Sequence, residues 1–135
     1  MTNCDIIVCN MDTVSINDFK KLNIRVGTVI EAEVPEWSHW VMKLQVDMGP
    51  EIGNRTIFAG IMHYFKPEDL IGKQFPFIIN LEKKKIGPEG DFSEGMMMAA
   101  DLILDDPIKI GDEEVKDKPV LLTPMEKVPN GTPVQ

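Results

Sequence analysis

The stretch KPEDLIGK, residues 66–73, predicts one short helix among segments that otherwise have strand character. Pro67 suits the first position of a helix, because the N–H that proline lacks would have no helical partner there. Glu68 and Asp69 follow in the first turn, where the helix dipole favours negative charge, and Gly72 is typical of a helix end. We therefore expect a short helix inserted between two strands.

Five segments around this helix have the alternation or the apolar composition of β-strands. They are IRVGTVIEAEV at 24–34, VMKLQVDMG at 41–49, RTIFAGI at 55–61, FPFIINL at 75–81 and EGMMMAADLIL at 94–104. Within them, Gly27 predicts a bulge or a sharp bend, and Pro76 predicts an edge position or a bulge.

A second short helix is predicted upstream by SINDFKKLN, residues 15–23. Either Ser15 or Asn17 would cap it. Its apolar side chains recur at near-helical spacing, so we expect them to enter the core: Ile16, Phe19 and Leu22.

Five short strands with a helix between the third and the fourth match the OB-fold, a partly open Greek-key barrel that binds oligonucleotides or oligosaccharides on one face. We therefore predict an all-β chain with short helices, in which residues 16–104 form this barrel. Residues 1–15 lead into it, and residues 105–135 form an extension. The extension has only short apolar pieces between Pro, Gly and charged residues, so it must pack on the barrel or on another subunit.

The 135 residues carry a net charge of -8, and 43% of them are hydrophobic, which is typical of a folded domain. The two cysteines, Cys4 and Cys9, are too few for a disulfide-built fold, so we expect free thiols in a reducing cytosol. The start MTNCDIIVCNMD lacks the features of a signal peptide, and no run is long enough to span a membrane. These features predict a cytoplasmic protein without a membrane partner.

No motif in the sequence predicts catalysis. His39 and His63 are the only histidines, and neither has a cysteine nearby, which argues against a zinc site. Ser93 stands in Phe-Ser-Glu-Gly-Met, which is not a nucleophile elbow, and the glycine motifs that cradle phosphate are absent. We expect neither an enzyme nor a bound metal or cofactor.

Positive charge is concentrated at Lys83, Lys84 and Lys85, in the connection between the fourth and fifth strands. OB-folds use this connection as a wall of the ligand groove, so three cations there would bind phosphates. The alternative is an ordinary solvated loop, which three adjacent lysines also suit.

The loop between the first and second strands is the other wall of such a groove, and it carries Trp37 and Trp40. These side chains would stack on exposed bases, or alternatively fill a core edge or a subunit contact. In the last strand, alternation directs at least one of Met96, Met97 and Met98 into the core.

Six stretches together resemble the tRNA-binding domain family, which includes the C-terminal domain of many methionyl-tRNA synthetases, free-standing tRNA-binding proteins and the CsaA secretion chaperones. They are INDFKKLNIRVGTVIEAE at 16–33, KLQVDMG at 43–49, RTIFAGI at 55–61, YFKPEDLIGK at 64–73, INLEKKKIG at 79–87 and SEGMMMAA at 93–100. The resemblance implies an OB-fold that holds structured tRNA by its shape, without catalysis. It also implies that the C-terminal extension forms a homodimer, which would bury apolar pieces that the barrel does not cover.

The resemblance further implies a set of tRNA contacts, most of them in the connection between the fourth and fifth strands. They match the family's Asn-Leu, its basic stretch and its Ser-x-Gly-Met: Asn80, Lys83, Lys84, Lys85, Ser93, Gly95 and Met96. Lys43 and Arg25 are further candidates, and a structural role is the alternative for Arg25. On this reading the protein presents tRNA to an aminoacyl-tRNA synthetase.

Two departures from the synthetase pattern support other readings. The first loop, VPEWSHWVMKL, has lost a lysine and is more similar to the CsaA branch, and the connection IGPEGDF carries Glu89 and Asp91 beside the expected groove. The main alternative is therefore a CsaA-like chaperone that binds unfolded or precursor polypeptides through an apolar surface: Met96, Trp37, Trp40 and Phe92. A third reading is a scaffold that docks onto a synthetase or another protein without touching RNA.

Overall fold

Alternating apolar side chains on three consecutive strands supply most of the core. In the computed structural model, which describes residues 11–135, these strands are β1 (Ile24–Glu33), β2 (Met42–Asp47) and β3 (Asn54–Ala59). On β2 every second side chain is fully buried and the others are half-buried, so one face of the strand covers the core. Cys4 and Cys9, which are predicted to be free thiols, lie outside the described residues.

Two further strands nearly close the sheet into a barrel. They are β4 (Gln74–Ile78) and β7 (Met96–Met97), and the antiparallel strands follow the order β3-β2-β1-β4-β7. The N–H of Glu94, just before β7, donates to the carbonyl of Thr56 on β3 at 2.8 Å, which brings the two ends of the sheet together. This is the predicted all-β, five-stranded, OB-like architecture.

The inserted helix lies where the sequence predicts it, between β3 and β4. This helix, α2 (Pro67–Leu70), begins at Pro67, and the chain leaves it through Gly72 at a φ of 85°, a backbone conformation that favours glycine. Leu70 is 1% exposed and belongs to the apolar cluster inside the barrel. The helix therefore contributes to the core at one end of the barrel.

The upstream helix also forms, but its apolar side chains do not enter the core. This helix, α1 (Ile16–Lys20), is capped by the Ser15 hydroxyl, which accepts from the Asp18 N–H at 3.0 Å. None of its residues is buried, because five residues make little more than one turn and that turn lies outside the closed barrel. The prediction that Ile16, Phe19 and Leu22 pack inside is wrong.

The bulge of β1 lies beyond Gly27, the position at which the sequence predicts a bulge or a sharp bend. The register of β1 against β2 shifts between Val29 and Glu31, so the bulge lies there and not at Gly27. A Cβ at Gly27 would stand 2.4 Å from the Met48 sulfur, so this position requires glycine for close packing. Pro76 pairs with Val26 of β1 in a ladder without a register shift, so it marks no bulge. On its other side its carbonyl accepts from the Met98 N–H at 3.1 Å, and the missing N–H lies at the end of the short pairing with β7, which covers Phe77 and Ile78.

The predicted fifth strand is divided between two elements. Only Met96–Met97 pairs with the barrel, and the chain then enters a long hairpin of β8 (Ala99–Ile110) and β9 (Glu113–Leu121). Strand β8 therefore runs through the predicted boundary at residue 104. The apolar alternation of this segment predicts a strand, but it does not specify which strand it pairs with.

The C-terminal residues pair with the first half of β1, in the sheet position that β2 leaves open. The N–H of Gly131 donates to the Val26 carbonyl at 2.7 Å, and the N–H of Val26 donates to the Thr132 carbonyl at 2.9 Å. Farther along, the N–H of Val134 donates to the Ile24 carbonyl at 2.8 Å. Backbone groups of β1 that β2 does not reach are thus satisfied by the tail.

Candidate nucleic-acid interface

The lysine-rich connection between β4 and β7 is itself a small hairpin. Strands β5 (Lys84–Ile86) and β6 (Asp91–Ser93) pair antiparallel, and Gly87 and Gly90 make the turn at φ values of 75° and 81°. Directly paired residues share a face, so Lys85 and Phe92 project together and both are exposed. Lys84 and Lys85 are therefore presented by a strand, and Lys83 directly precedes it.

The β5–β6 hairpin is attached to the barrel through Ser93. This side chain is buried, and its hydroxyl accepts from the Phe58 N–H and donates to the Gly95 carbonyl, both at 3.0 Å. A Cβ at Gly95 would approach the Ile78 carbonyl oxygen to 2.9 Å, so a larger residue does not fit there. Ser93 and Gly95, two predicted contact residues, are thus engaged within the chain.

Trp37 connects the first loop to the tip of the β5–β6 hairpin. The centroid of its ring lies 6.2 Å from the ring centroid of Phe58. A Cβ placed on Gly87 would come within 2.4 Å of the Trp37 ring carbons. The two predicted walls of the groove therefore touch each other at this point. Trp37 is half-buried in this contact.

Trp40 points to another part of the surface. Its ring centroid lies 5.1 Å from His63 and 6.5 Å from Tyr64, and His63 Nε2 is 2.7 Å from the His39 carbonyl oxygen. Trp40 and Tyr64 line a cleft of about 580 Å³ together with residues of β8 and β9. The structure therefore separates Trp40 from the lysine hairpin, although Trp37 and Trp40 are three residues apart.

The three consecutive lysines differ in their surroundings. Lys83 Nζ lies 3.8 Å from a carboxylate oxygen of Glu94, whose other oxygen accepts from the Thr56 N–H at 3.1 Å. Lys84 and Lys85 are exposed and form no ion pair with any residue in the range 11–135. Two cations on the hairpin are therefore available to an anionic ligand.

Lys43 lies on the outer face of β2, between Glu33 of β1 and Phe58 of β3. Its Nζ is 3.3 Å from Asp91 Oδ2 on the hairpin, and the two side chains are 24% and 37% exposed. The outer face of the barrel beneath the hairpin thus carries charges of both signs. The pairing of Lys43 with Asp91 has no signal in the sequence, because 48 positions separate the two residues.

Asn80 and Arg25 stabilise the part of the barrel beside α1. Asn80 accepts from the Asn23 N–H at 2.8 Å and donates to the Lys21 carbonyl at 2.7 Å. Arg25 donates to the Asn23 side-chain oxygen at 2.8 Å and to the Gly131 carbonyl at 3.0 Å. Both residues line a cavity of about 560 Å³ beside α1, and the lining of this cavity does not include the hairpin lysines.

The three methionines after Gly95 divide between core and surface. Met97 packs against the core, which confirms the prediction that at least one of them does so. Met96 is 47% exposed and Phe92 is 50% exposed. The β5–β6 hairpin and β7 therefore present apolar side chains close in sequence to the lysines, and these would suit a base or an apolar peptide side chain.

Two other kinds of site have no candidate among the described residues. In the range 11–135, no three His, Cys, Asp or Glu side chains are grouped so that they would hold a metal ion. No helix in that range is long and apolar enough to cross a membrane.

The barrel and its hairpin have clear relatives. The family model described as "Putative tRNA binding domain" matches residues 24–133, so the chain belongs to the tRNA-binding domain family. A methionine–tRNA ligase of Methanocaldococcus jannaschii is 40% identical over 111 residues, which is 76% of this chain and 16% of the ligase. The chain therefore spans about one sixth of such curated relatives.

Two solved structures are similar over nearly the whole chain. The MetRS related protein from Pyrococcus horikoshii has a TM-score of 0.74 and 34% identity, covering 93% of this chain and 100% of that one. The chaperone CsaA from Bacillus anthracis has a TM-score of 0.72 and 30% identity, covering 92% and 100%. The similarity thus extends to both the synthetase-related and the chaperone branches, as the sequence predicts.

Proposed function

We propose that the protein is a cytoplasmic, non-catalytic tRNA-binding protein whose contact surface is centred on the β5–β6 hairpin. The observation that carries this proposal is the pair of exposed lysines, Lys84 and Lys85, which have no ion-pair partner in the described part of the chain and stand on a hairpin fixed to the barrel. Because the backbone of this hairpin is held in place, its two exposed cations are available to the phosphates of a folded RNA, which proteins recognise by its shape and backbone. Membership of the tRNA-binding domain family supports tRNA as that RNA.

The other predicted site residues add contacts to the RNA or hold the contact surface in position. Met96 and Phe92 provide exposed surface for a ribose or a base, and Lys83 adds a third cation once RNA competes with Glu94. Residues that are engaged within the chain hold the hairpin and the barrel in position: Ser93, Gly95, Trp37, Asn80 and Arg25. Lys43 belongs to the same surface through its ion pair with Asp91.

The proposal includes a homodimer and an association with an aminoacyl-tRNA synthetase. Several apolar side chains of the β8–β9 hairpin are exposed in the single chain, and Ile103 is 69% exposed. A second copy related by two-fold symmetry would bury them. In the proposed division of the chain, residues 1–15 lead into the barrel, residues 16–104 contain the tRNA-binding barrel, and residues 105–135 pack on the barrel and continue the dimer contact that Leu102 and Ile103 begin in β8.

A second candidate is a CsaA-like chaperone that binds unfolded or precursor polypeptides. The similarity to the CsaA structure and the exposure of Phe92 and Met96 favour it. Trp40, beside the cleft of β8 and β9, would add a further aromatic contact. Flexible and aromatic side chains suit partners of variable sequence.

The two candidates are separated by titrating the protein with bulk tRNA at low and moderate salt, in parallel with an unfolded polypeptide. Reversing the three hairpin lysines to glutamate, K83E/K84E/K85E, should weaken tRNA binding by about tenfold or more at low salt, because phosphate contacts dominate such affinity. The matched control K20E/K66E/K73E makes the same charge change at exposed lysines outside the β5–β6 hairpin and the proposed dimer contact, and it should weaken tRNA binding far less.

Circular dichroism and molar mass must show that both triple variants are folded and assembled like the parent. Polypeptide binding without tRNA binding at low salt would contradict the first candidate and favour the chaperone. Binding to a synthetase without tRNA or polypeptide binding would favour a scaffold instead.

A further inference from the structure

We propose that Asp91 is a built-in competitor of the RNA backbone at Lys43, so that this ion pair limits the affinity of the protein for RNA. The inference rests on the proposed function and specifies a determinant within the same surface. A carboxylate and a phosphate offer a lysine the same kind of acceptor oxygen. The two groups therefore compete for the lysine ammonium.

The position of Lys43 makes it a natural phosphate ligand. It stands on the outer face of β2, next to the aromatic side chain of Phe58, which packs on Trp37. Exposed β-strand faces of OB-folds, together with their neighbouring loops, are where these barrels bind nucleic acids. In the free protein, however, Lys43 already has Asp91 at 3.3 Å.

Three contacts of the β5–β6 hairpin hold the backbone of Asp91 in that position. Asp91 pairs directly with Ile86, and two residues farther along Ser93 is bonded to the Phe58 N–H at 3.0 Å. At the turn, Gly87 packs against Trp37. The carboxylate is therefore positioned by the fold and does not lose much additional conformational freedom when it pairs with Lys43.

The burial of the pair determines the strength of this competition. Fully exposed ion pairs contribute little, because water and salt screen them. The side chains of Lys43 and Asp91 are only 24% and 37% exposed, so their attraction is screened less than that of the exposed Lys21 and Asp18, at 77% and 58%. An RNA phosphate must displace Asp91 before it gains Lys43, which lowers the observed affinity.

The test is the substitution Asp91→Asn, which keeps the size of the side chain and removes its charge. We expect it to raise the affinity for bulk tRNA by about 3- to 10-fold at moderate salt. The slope of log K against log salt should steepen by about 0.7 to 0.9, which corresponds to one additional phosphate contact. Glu89→Gln is the matched control, because Glu89 is exposed at the tip of the same hairpin and forms no ion pair with the described residues.

The variant Lys43→Gln shows whether the gain is transmitted through this lysine. Alone it should weaken tRNA binding, because it leaves the Asp91 carboxylate uncompensated beside the RNA. In combination with Asp91→Asn it should return both the affinity and the salt slope to those of the parent protein. An equal gain from Glu89→Gln, or a gain that persists without Lys43, would overturn the inference.

Failure of the inference is distinguishable from failure of the proposed function. If the parent protein binds tRNA and Asp91→Asn binds no more tightly, the competitor role is wrong while tRNA binding stands. If neither protein binds tRNA at low salt, both proposals are wrong.

Discussion

Two hairpins follow one another along the chain, and they differ in how they contact the rest of the molecule. The β5–β6 hairpin is short and is attached to the barrel by the Ser93 hydrogen bond, the Asp91–Lys43 ion pair and the packing of Gly87 on Trp37. The β8–β9 hairpin is long, is paired mainly with itself, and leaves apolar side chains such as Leu102 and Ile103 exposed. The first arrangement suits ligand binding by fixed charges, and the second suits assembly with another chain.

The largest effect should follow from adding charge to the β8–β9 hairpin. In the double variant L102E/I103E, two carboxylates replace exposed apolar side chains, so the proposed dimer should dissociate and the molar mass measured by light scattering should fall by half. The control Lys109→Glu changes an exposed polar position of the same strand and should leave the mass unchanged. An unchanged mass in L102E/I103E would remove this hairpin from the dimer contact.

The next effect concerns the attachment of the β5–β6 hairpin. Ser93→Ala leaves the Phe58 N–H without its partner in a buried place, which should lower the free energy of unfolding by about 1–3 kcal/mol in urea denaturation. Ser15→Ala removes the exposed cap of α1 and serves as the matched control, with an expected cost of about 1 kcal/mol or less. If Ser93→Ala costs no more than Ser15→Ala, the hairpin is not held by this hydroxyl.

A comparison of turn glycines should give a smaller difference. Gly87 and Gly111 turn the two hairpins at φ values of 75° and 63°, so alanine is strained at both positions, by about 1 kcal/mol. Only at Gly87 would the new Cβ collide with another side chain, that of Trp37, whereas nothing lies within 4 Å at Gly111. Gly87→Ala should therefore cost more stability, and it alone should weaken tRNA binding. Equal losses of stability would mean that Trp37 moves aside freely.

The smallest effect is a pH dependence in the β8–β9 hairpin. A hydrogen bond with Asp117 raises the pKa of Asp101, and burial and the charge of Asp117 act in the same direction. A raised pKa in the folded state means that the stabilisation is present at low pH and is lost as the pH rises through that pKa. Asp101→Asn should thus slightly raise the Tm at neutral pH and leave it unchanged in acid. Asp106→Asn, at an exposed position of the same hairpin, should not raise the Tm at neutral pH or in acid. A rise equal to that of Asp101→Asn would contradict the interaction between Asp101 and Asp117.

The sequence predicts those parts of the fold that depend on local signals. Pro67 and Gly72 define α2 because proline and glycine restrict or permit particular backbone angles wherever they occur. The alternation of β2 and β3 is equally local. The exposure of Phe19 and the displacement of the bulge from Gly27 could not be predicted, because both depend on which element lies beside them.

The candidate site shows the same division. The lysine cluster and the exposed Phe92 and Met96 are apparent from composition and position. The burial of Ser93 and the pairing of Lys43 with Asp91 are tertiary contacts, and residues far apart in sequence carry no mark of such pairing. The sequence thus predicts which segment binds, and the folded structure is needed to show which of its cations are exposed and without an ion-pair partner among residues 11–135.

The measurement that tests the central claim most directly is the salt dependence of tRNA affinity for the parent protein and for K84Q/K85Q. If these two lysines bind phosphates, the slope of log K against log salt should become shallower by about 1.4 to 1.8 in the variant, while K20Q/K73Q, at exposed lysines outside both hairpins, keeps the slope of the parent. A slope that is unchanged in K84Q/K85Q, with the fold intact, would contradict the claim that the β5–β6 hairpin is the RNA-binding surface.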